Sequence, residues 1–284
     1  MKHLCNFFCL ISCFGAIAFQ SCSHKPNELE TAGLKGKVKS IREISYQAFG
    51  NTDTIIKGEI VMNQDLKNYF ATYNIDGNMT SIVNYDNLGN QIDKWIFRYN
   101  NKGLTLGGNF YANDNTLLDS TTYIYDSEGN VIEYYHYDSD GRLKSKTINT
   151  YDEKGNVIES KIYDSNNLLF RINKYKYKKR NLIEDVSLDR NSFVMYFSQY
   201  TYDNNSNLVN QIINNADSSL NTEGVYCYNE HSDIVKSTIK VPNEPTVTYT
   251  YSYKYDDRQN WIQKIMYLDT LALFLTIREF EYFK

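Results

Sequence analysis

Residues 125–130 read Tyr-Asp-Ser-Glu-Gly-Asn, and residues 151–156 read Tyr-Asp-Glu-Lys-Gly-Asn, with the two tyrosines 26 positions apart. The same spacing extends in both directions along the chain. Tyrosines recur every 26 residues at Tyr73, Tyr99, Tyr125, Tyr151 and Tyr177, and then at Tyr202, Tyr228 and Tyr255 in steps of 25, 26 and 27 residues. A fixed period of roughly 20–50 residues indicates a repeat architecture. The chain is therefore expected to form one array rather than two domains.

The residues after each tyrosine are typical of a tight hairpin turn. Asp or Asn opens a type I turn because its side chain accepts backbone amides ahead of it. A glycine four places after the tyrosine supplies a positive φ. Six turns carry it, and we predict structural turn roles for Gly77, Gly89, Gly103, Gly129, Gly141 and Gly155. Later turns such as Asp203-Asn204-Asn205-Ser206 lack the glycine and are predicted to be less regular.

The segments between turns predict strands. They are alternately about 7 and 9 residues long, rich in Val, Ile, Thr, Tyr and Phe, and free of proline from residue 27 to residue 241. Turns this short force neighbouring strands to pair antiparallel. We therefore predict an all-β fold, an extended antiparallel β-meander of tandem hairpins with roughly 18–20 strands. A sheet this wide should curl into an open roll or fold over itself, with the tyrosine-bearing side concave.

Alternation within the strands places many tyrosines on one face. Residues 247–255 put four tyrosines on one side and Thr, Ser and Lys on the other. A tyrosine ring with a polar tip suits both sugars and protein interfaces, although a buried core is the other interpretation. The candidate ligand-binding residues are Tyr196, Tyr200, Tyr249, Tyr251 and Tyr253.

The N-terminus predicts export. Residues 4–19 form an apolar run after Lys2, too short for a comfortable membrane span. The following Ser21-Cys22 resembles a bacterial lipoprotein signal of the Bacteroidetes type, although Phe19 and Gln20 depart from the usual pattern. The resemblance implies a signal peptide over 1–21 and lipidation of Cys22. The stretch with Pro26 and Gly33 before the first predicted strand predicts a tether over 22–36, and the YD/RHS-like β-repeat domain is predicted over 37–284. The lipoprotein resemblance also implies an outer-membrane anchor, on the periplasmic side or the cell surface; an ordinary secretory peptide is the alternative.

Cysteine usage agrees with export of a protein without disulfides. Cys5, Cys9 and Cys13 would leave with the signal peptide, and Cys22 would carry lipid. Cys227 then stands alone, so no disulfide can form within one chain. A lone cysteine in a strand is expected to be a small buried apolar residue.

The repeat resembles the YD repeats of RHS-type proteins, in which Tyr-Asp precedes a glycine-containing turn. Residues 85–90, 125–130 and 151–156 carry the motif, and the resemblance covers about residues 46–282. Large members of that family build a shell around a toxic C-terminal segment. We expect the repeat to carry over to this chain and the encapsulating role not to, because the sequence ends within a predicted strand at Lys284.

No motif for catalysis, metal binding or phosphate binding is found in the sequence. His136 and His231 are interpreted as structural, and Asp138-x-Asp140-Gly141 as a hairpin turn rather than a calcium loop. A formal charge of −4 disfavours nucleic-acid binding. We therefore expect no cofactor, no metal and no enzymatic activity.

The function predicted first is a non-catalytic, lipid-anchored binding or structural module of the cell envelope, with a glycan or protein partner. The alternatives are an accessory or neutralising partner of an RHS-type toxin system and, less favoured, an enzyme of unknown class. An outer-membrane barrel is disfavoured because charges such as Lys144, Lys146 and Lys161 fall within the predicted strands and the turns are short at both ends.

Overall fold

The structure is a computed structural model that describes residues 26–63 and 66–284. The predicted signal peptide and Cys22 lie outside these residues. One short helix, α1 (Glu28–Thr31), precedes the strands. The strands in chain order are β1 (Val38–Gly50), β2 (Ile55–Ile60), β3 (Asn68–Tyr73), β4 (Met79–Tyr85), β5 (Gln91–Tyr99), β6 (Thr105–Ala112), β7 (Leu117–Tyr125), β8 (Val131–Asp138), β9 (Leu143–Tyr151), β10 (Val157–Asp164), β11 (Leu169–Lys178), β12 (Asn181–Asp189), β13 (Val194–Tyr202), β14 (Leu208–Asn215), β15 (Leu220–Tyr228), β16 (Ile234–Lys240), β17 (Val247–Tyr255), β18 (Trp261–Leu268) and β19 (Leu271–Tyr282).

From β3 onward, each strand neighbours the next in one sheet, as the short turns require. The described residues contain 19 strands, within the predicted range of 18–20. The hairpins share a shift in register, a β-bulge, next to the turn. In β9–β10, for example, the shift falls between Val157 and Glu159, directly after the turn that follows Tyr151. Such a bulge increases the local twist of the ribbon.

The predicted open roll or folded sheet is wrong, because the two ends of the meander are joined. Strand β1 pairs along one edge with β19, from Val38 opposite Tyr282 to Gln47 opposite Phe274. Along its other edge β1 pairs with β3 near its start and with β2 near its end. The hydrogen-bonded order is therefore cyclic, and the sheet is a closed antiparallel barrel of 18 strands with β2 as a short additional strand. Closure satisfies the polar backbone groups that an open sheet leaves at its edges.

The chain divides into two compact units. The first includes residues 26–120 and 251–284, and it holds the larger apolar core. There Leu29, Val38, Ile41, Ala71 and Tyr73 form one buried cluster. A second cluster in this unit comprises Ala48, Ile265, Tyr267, Ala272 and Leu275.

The second unit includes residues 121–250. Its buried residues are unusually polar for a core. Hydroxyl side chains at Ser160, Ser187, Ser198 and Ser237 are buried as fully as its apolar residues, which are Ile172, Leu188, Ile213, Tyr226 and Tyr249.

The described part of the predicted tether is folded onto the first unit. Asn27 caps α1 by accepting a hydrogen bond from the Glu30 amide at 2.9 Å, and the Glu30 carboxylate accepts one from the Asn27 amide at 3.0 Å. Leu29 is buried in the apolar cluster, with 5% exposure. Asn260 holds the backbone of Lys35 through two hydrogen bonds of 2.8 and 2.9 Å. Within the described chain, no helix is long and apolar enough to cross a membrane.

The hairpin turns repeat one geometry. In the turn after Tyr125, the Asp126 carboxylate accepts hydrogen bonds from the backbone amide of Asn130 at 2.7 Å and from its side chain at 2.8 Å. Gly129 adopts a φ of +77°. The other five predicted turn glycines also have positive φ, between +76° and +84°.

Turns without glycine keep this geometry, contrary to the expectation of irregularity. Ser206 has a φ of +66° and Ser232 one of +65°, although a side chain disfavours that region. The side chain that opens each turn compensates. Asp203 accepts two backbone amides at 2.8 Å each, and Asn229 accepts two at 2.9 Å each. In these turns the side chain of the opening residue holds the turn geometry. A glycine at the later position only lowers the conformational cost of a positive φ.

The 26-residue tyrosine period has a structural cause. Tyr99, Tyr151 and Tyr228 each donate a hydrogen bond to the backbone carbonyl 20 residues earlier, at 2.6, 2.8 and 2.7 Å. That carbonyl belongs to the first residue of the preceding hairpin's second strand segment, such as Val131 for Tyr151. Each tyrosine thus fastens one hairpin to the next. Burial raises the pKa of Tyr151 to about 12, so its hydroxyl remains a donor at neutral pH.

Replacing Ser232 with glycine is expected to stabilise the protein. The substitution relieves the cost of a positive φ, which should outweigh the added freedom of the unfolded chain and yield roughly 0.5–1 kcal/mol. Urea unfolding measures the change. Ser145→Gly, within strand β9, is the matched control and should destabilise by a similar amount. A destabilised Ser232→Gly variant would contradict this account of the turn.

Replacing Tyr151 with phenylalanine is expected to destabilise the protein by about 1 kcal/mol, because the Val131 carbonyl loses its donor. Tyr85→Phe is the control, since the described residues supply no hydrogen-bond partner for the Tyr85 hydroxyl. Urea midpoints of the two variants are compared with that of the wild type. Equal effects at the two positions would show that the hydroxyl bond does not explain the period.

Candidate functional site

The strand registers define one face of the sheet, which we call the tyrosine face. In residues 121–250 it carries Tyr196 opposite Ser187 and Tyr249 opposite Ser237. Tyr200 lies on the same face by alternation along β13. Three of the five predicted ligand-binding tyrosines therefore share one face in this unit.

Small residues make room for the rings on the tyrosine face. A side chain at Gly224 would place its Cβ 2.3 Å from the Tyr226 hydroxyl. Ser237 lies between Tyr226 and Tyr249 and has only 2% exposure. Tyr249 itself has 5% exposure, so its ring is a core element rather than a free platform.

Tyr251 and Tyr253 lie in the other unit, which contains residues 251–284. Tyr253 stacks on Tyr255 with centroids 6.1 Å apart and meets the edge of Trp261 at 6.2 Å. The Arg278 guanidinium lies 3.5 Å from the Trp261 ring centroid and pairs with Glu43 at 2.6 Å. Tyr253 thus packs on Trp261, which itself lies against this part-buried ion pair, and this arrangement indicates a structural role for Tyr253.

A polar cluster on the tyrosine face has unmet hydrogen-bonding capacity. Five buried side-chain atoms in residues 26–63 and 66–284 lack a hydrogen-bond partner. Four of them lie on adjacent positions of β11 and β12, which we call the β11–β12 cluster. They are Arg171 Nε, Asn173 Oδ1, Asp185 Oδ1 and Ser187 Oγ.

The register brings these four residues together. Asn173 lies directly opposite Ser187, and Tyr175 lies opposite Asp185. Arg171 is two residues from Asn173 on the same face. Directly opposed residues in an antiparallel pair have Cα atoms roughly 4.5–5.5 Å apart, so the cluster is compact.

Burial shapes the electrostatics of this cluster. Desolvation raises the pKa of the Asp185 carboxyl, with hydrogen bonds from Ser198 and Tyr200 acting in the opposite direction. The Tyr200 hydroxyl donates to Asp185 Oδ2 at 3.4 Å. Burial also raises the pKa of Tyr200 and of Tyr175, whose hydroxyl lies beside Ser160 and Asn173. Neutral hydroxyls therefore surround a partly desolvated carboxyl group.

Other residues considered in the sequence lie elsewhere. Cys227 is exposed and lies opposite Lys236, so the expectation of a buried cysteine is wrong. Cys227 follows Tyr226 along β15, and therefore lies on the face opposite the tyrosine face. Asp138 accepts the amides of Asp140 and Arg142 at 2.9 Å each, which is a hairpin turn. Among the described residues, no group of three or more His, Cys, Asp or Glu side chains is placed to hold a metal ion.

Sequence reasoning located the face but missed the cluster. One face of β11 carries every second residue, namely Arg171, Asn173, Tyr175 and Tyr177. Two polar residues in line with two tyrosines were the signal in the sequence that could have revealed the cluster. The register of β12 against β11 could not be predicted in the same way, because the residue at positive φ in the turn between them is Lys179 rather than glycine. The tyrosine search therefore passed over Asp185 and Ser187.

Replacing Asp185 with asparagine is expected to flatten the dependence of stability on pH. A raised folded-state pKa makes the native state bind the proton more tightly, so stability falls as pH rises above about 4. The variant lacks this fall. Its free energy of unfolding in urea should therefore rise relative to that of the wild type between pH 4 and pH 8.

Asp203→Asn supplies a control of opposite sign. Hydrogen bonds from Asn207 lower the pKa of Asp203, so its carboxylate stabilises the fold at neutral pH and that contribution is lost as pH falls. The Asp203→Asn variant should therefore lose the most stability, relative to the wild type, at neutral pH. Parallel pH profiles for the wild type and Asp185→Asn would contradict the burial of Asp185.

The fold is similar to several solved structures. A porin-like protein from Bacteroides uniformis is 13% identical, with 87% of this chain and 99% of that chain covered and a TM-score of 0.46. The Photorhabdus luminescens Tc holotoxin pore is 15% identical over 77% of this chain and 14% of that chain, with a TM-score of 0.30. A putative outer membrane lipoprotein-sorting protein domain from Vibrio parahaemolyticus is 8% identical, with 88% of each chain covered and a TM-score of 0.24. No protein-family model matches the sequence, and no curated protein matches it.

Proposed function

We propose that the protein is a non-catalytic, lipid-anchored binding module of the bacterial cell envelope, with its ligand on the tyrosine face. The observation that carries this proposal is the unmet hydrogen-bonding capacity of the β11–β12 cluster among tyrosine rings. A buried donor or acceptor left without a partner costs roughly 1–3 kcal/mol. A face with a purely structural role gains nothing from that cost.

Other buried polar groups in the sheet show what a satisfied structural site looks like. Ser45 and Thr276 share a hydrogen bond of 3.1 Å in the first unit. In the second unit, Ser160 donates to Asn149 Oδ1 at 2.7 Å. Ser187 Oγ and Asn173 Oδ1 lack such partners, and four of the five buried side-chain atoms without one in the described residues lie in the β11–β12 cluster, the fifth being Glu28 Oε2. This contrast supports a binding role for the cluster.

The face opposite the tyrosine face favours contact with water. In residues 121–250 it carries Lys146 and Lys161, which pair across the sheet with Tyr163 and Ile148. Lys161 forms an ion pair with Glu159 at 3.1 Å, and both side chains are partly exposed. Lysine on a lipid-facing strand costs about 2–4 kcal/mol at the bilayer midplane. These residues support a barrel held at the membrane by an anchor rather than inserted in it.

The folded N-terminal segment supports a short connection to such an anchor. Its described part begins at Pro26, and α1 is packed on the first unit. Lipidation at Cys22 would leave four residue steps before this point, a reach of at most roughly 14 Å. The repeat domain would then lie close to the membrane surface, on the periplasmic side or the cell surface.

Two alternatives stay predictions. An accessory role in an RHS-type toxin system has no contact or site among the described residues that favours it. We also expect no catalytic activity, because no hydrogen bond joins the Ser187 hydroxyl to a base in the β11–β12 cluster. Neither expectation changes the experiments that test the binding proposal.

Replacing Cys22 with serine is expected to move the protein from the membrane fraction to the soluble fraction of expressing cells, because the acyl chains no longer insert. Detergent-phase partitioning and immunoblotting measure the change. Cys227→Ser is the matched control and should stay with the membranes, since Cys227 lies in a strand of the folded domain. Retention of Cys22→Ser in the detergent phase would overturn the anchor.

The released Cys22→Ser protein is then screened on a glycan array and against solubilised envelope proteins. Saturable binding that Tyr196→Ala weakens is the expected result. If neither screen yields saturable binding, the binding function is wrong and only a structural role is left.

A further inference from the structure

We propose that the β11–β12 cluster is the recognition site for a neutral sugar. The inference rests on the proposed binding function and names its site and its ligand class.

Placement gives the cluster the form of a built site. Ser187 is flanked across the sheet by Asn173 on β11 and by Tyr196 on β13. Asp185, two residues along β12, is flanked by Tyr175 and Ser198. The polar groups therefore occupy neighbouring points on three paired strands, which hold them more rigidly than loops would.

Burial distinguishes Ser187 from an ordinary surface hydroxyl. It has 2% exposure, yet its Oγ has no hydrogen-bond partner in the described chain. Buried polar side chains almost always have such a partner. A ligand atom that bonded Ser187 would therefore remove a cost that the free protein bears.

The unmet groups match the chemistry of sugar hydroxyls. Asn173 Oδ1 and Asp185 Oδ1 accept hydrogen bonds, Arg171 Nε donates one, and Ser187 Oγ can do either. A sugar hydroxyl both donates and accepts, so adjacent hydroxyls of one ring can serve acceptors and a donor together. An aliphatic ligand would leave all four groups unsatisfied.

Charge favours a neutral ligand over an ion. The cluster holds one carboxyl group and one guanidinium group, so their formal charges cancel. A phosphate group would meet the Asp185 carboxylate, and a metal cation would meet the Arg171 guanidinium. Neither ion finds the concentrated opposite charge that it needs in a buried site.

Tyrosine rings border the cluster on both sides. Tyr175 lies beside Asn173, and Tyr200 donates to the second oxygen of Asp185 at 3.4 Å. Tyr196 is directly opposite Ser187. Rings with a polar tip offer an apolar surface to the C–H face of a sugar and a hydroxyl to its edge. Four of the five unpartnered buried side-chain atoms in the described residues lie here, beside these rings.

The test uses the full chain carrying Cys22→Ser, which releases it from membranes, and four monosaccharides as probes. These are glucose, galactose, mannose and N-acetylglucosamine, titrated into the millimolar range and followed by saturation-transfer NMR. At least one should bind saturably. Ser187→Ala and Asn173→Ala should each weaken that binding on the order of tenfold, because each removes a hydrogen bond to the ligand.

Ser237→Ala is the matched control, because Ser237 is as deeply buried on the same face but is not left without a partner. It should lower the unfolding midpoint and leave sugar binding unchanged. Ser187→Ala should leave the midpoint unchanged or raise it, since its hydroxyl has no partner in the fold. A loss of sugar binding without loss of stability is therefore the specific signature of the site.

Three results would overturn the inference, and they separate it from the proposed function. Sugar binding that survives both Ser187→Ala and Asn173→Ala places the site elsewhere and leaves the binding function intact. Binding of an envelope protein but of no monosaccharide overturns the ligand class alone. If neither sugars nor envelope proteins bind saturably, both the site and the proposed function fail.

Discussion

A side chain that opens most of the hairpin turns and accepts two backbone amides is the constraint on which the barrel depends. Asp152 and Asp203 do this in turns with and without glycine, and both turns place a residue at positive φ. The turn fixes a bulge in the following strand, and the bulge fixes the register. Since a shift of one residue would exchange the two faces of a strand, register decides which side chains share the tyrosine face. The tyrosine hydrogen bonds, such as that of Tyr151, then join one hairpin to its neighbour.

The sequence was sufficient to predict most of what is local, although not the regularity of turns that lack glycine. Period, turn and strand are all encoded within about 26 residues, and the six turn glycines mark them directly. Closure was not predictable in this way, because it depends on pairing between β1 and β19, which are more than 200 residues apart in the chain. The candidate site falls between these limits. Alternation showed which face Tyr196 and Tyr200 occupy, but only the register of β11 against β12 shows that Asn173 lies opposite Ser187.

The two units deal with buried polarity differently. In the first unit, Glu28 Oε2 is the one described buried side-chain atom without a partner, whereas the part-buried Glu43–Arg278 ion pair at 2.6 Å and the buried Ser45–Thr276 hydrogen bond are satisfied. Breaking such a pair would leave an uncompensated charge, so these residues stabilise the fold. In the second unit, Ser187 and Asp185 keep unmet capacity at the expense of stability. Groups held in this way commonly lie where a protein meets a ligand, since selection for function tolerates a local loss of stability.

Pairing of the first strand with the last sets the order in which the fold can be completed. During synthesis, β1 emerges early, but the edge that bonds β19 stays without its partner until residues 271–282 have been released. Until then, a strand of 13 residues has an exposed edge that can pair with another chain. Hairpins such as β9–β10 form from contacts close in sequence, whereas the final seam requires a long-range encounter and is therefore slow. Until the seam has formed, the unfinished barrel is therefore prone to aggregation through its first strand.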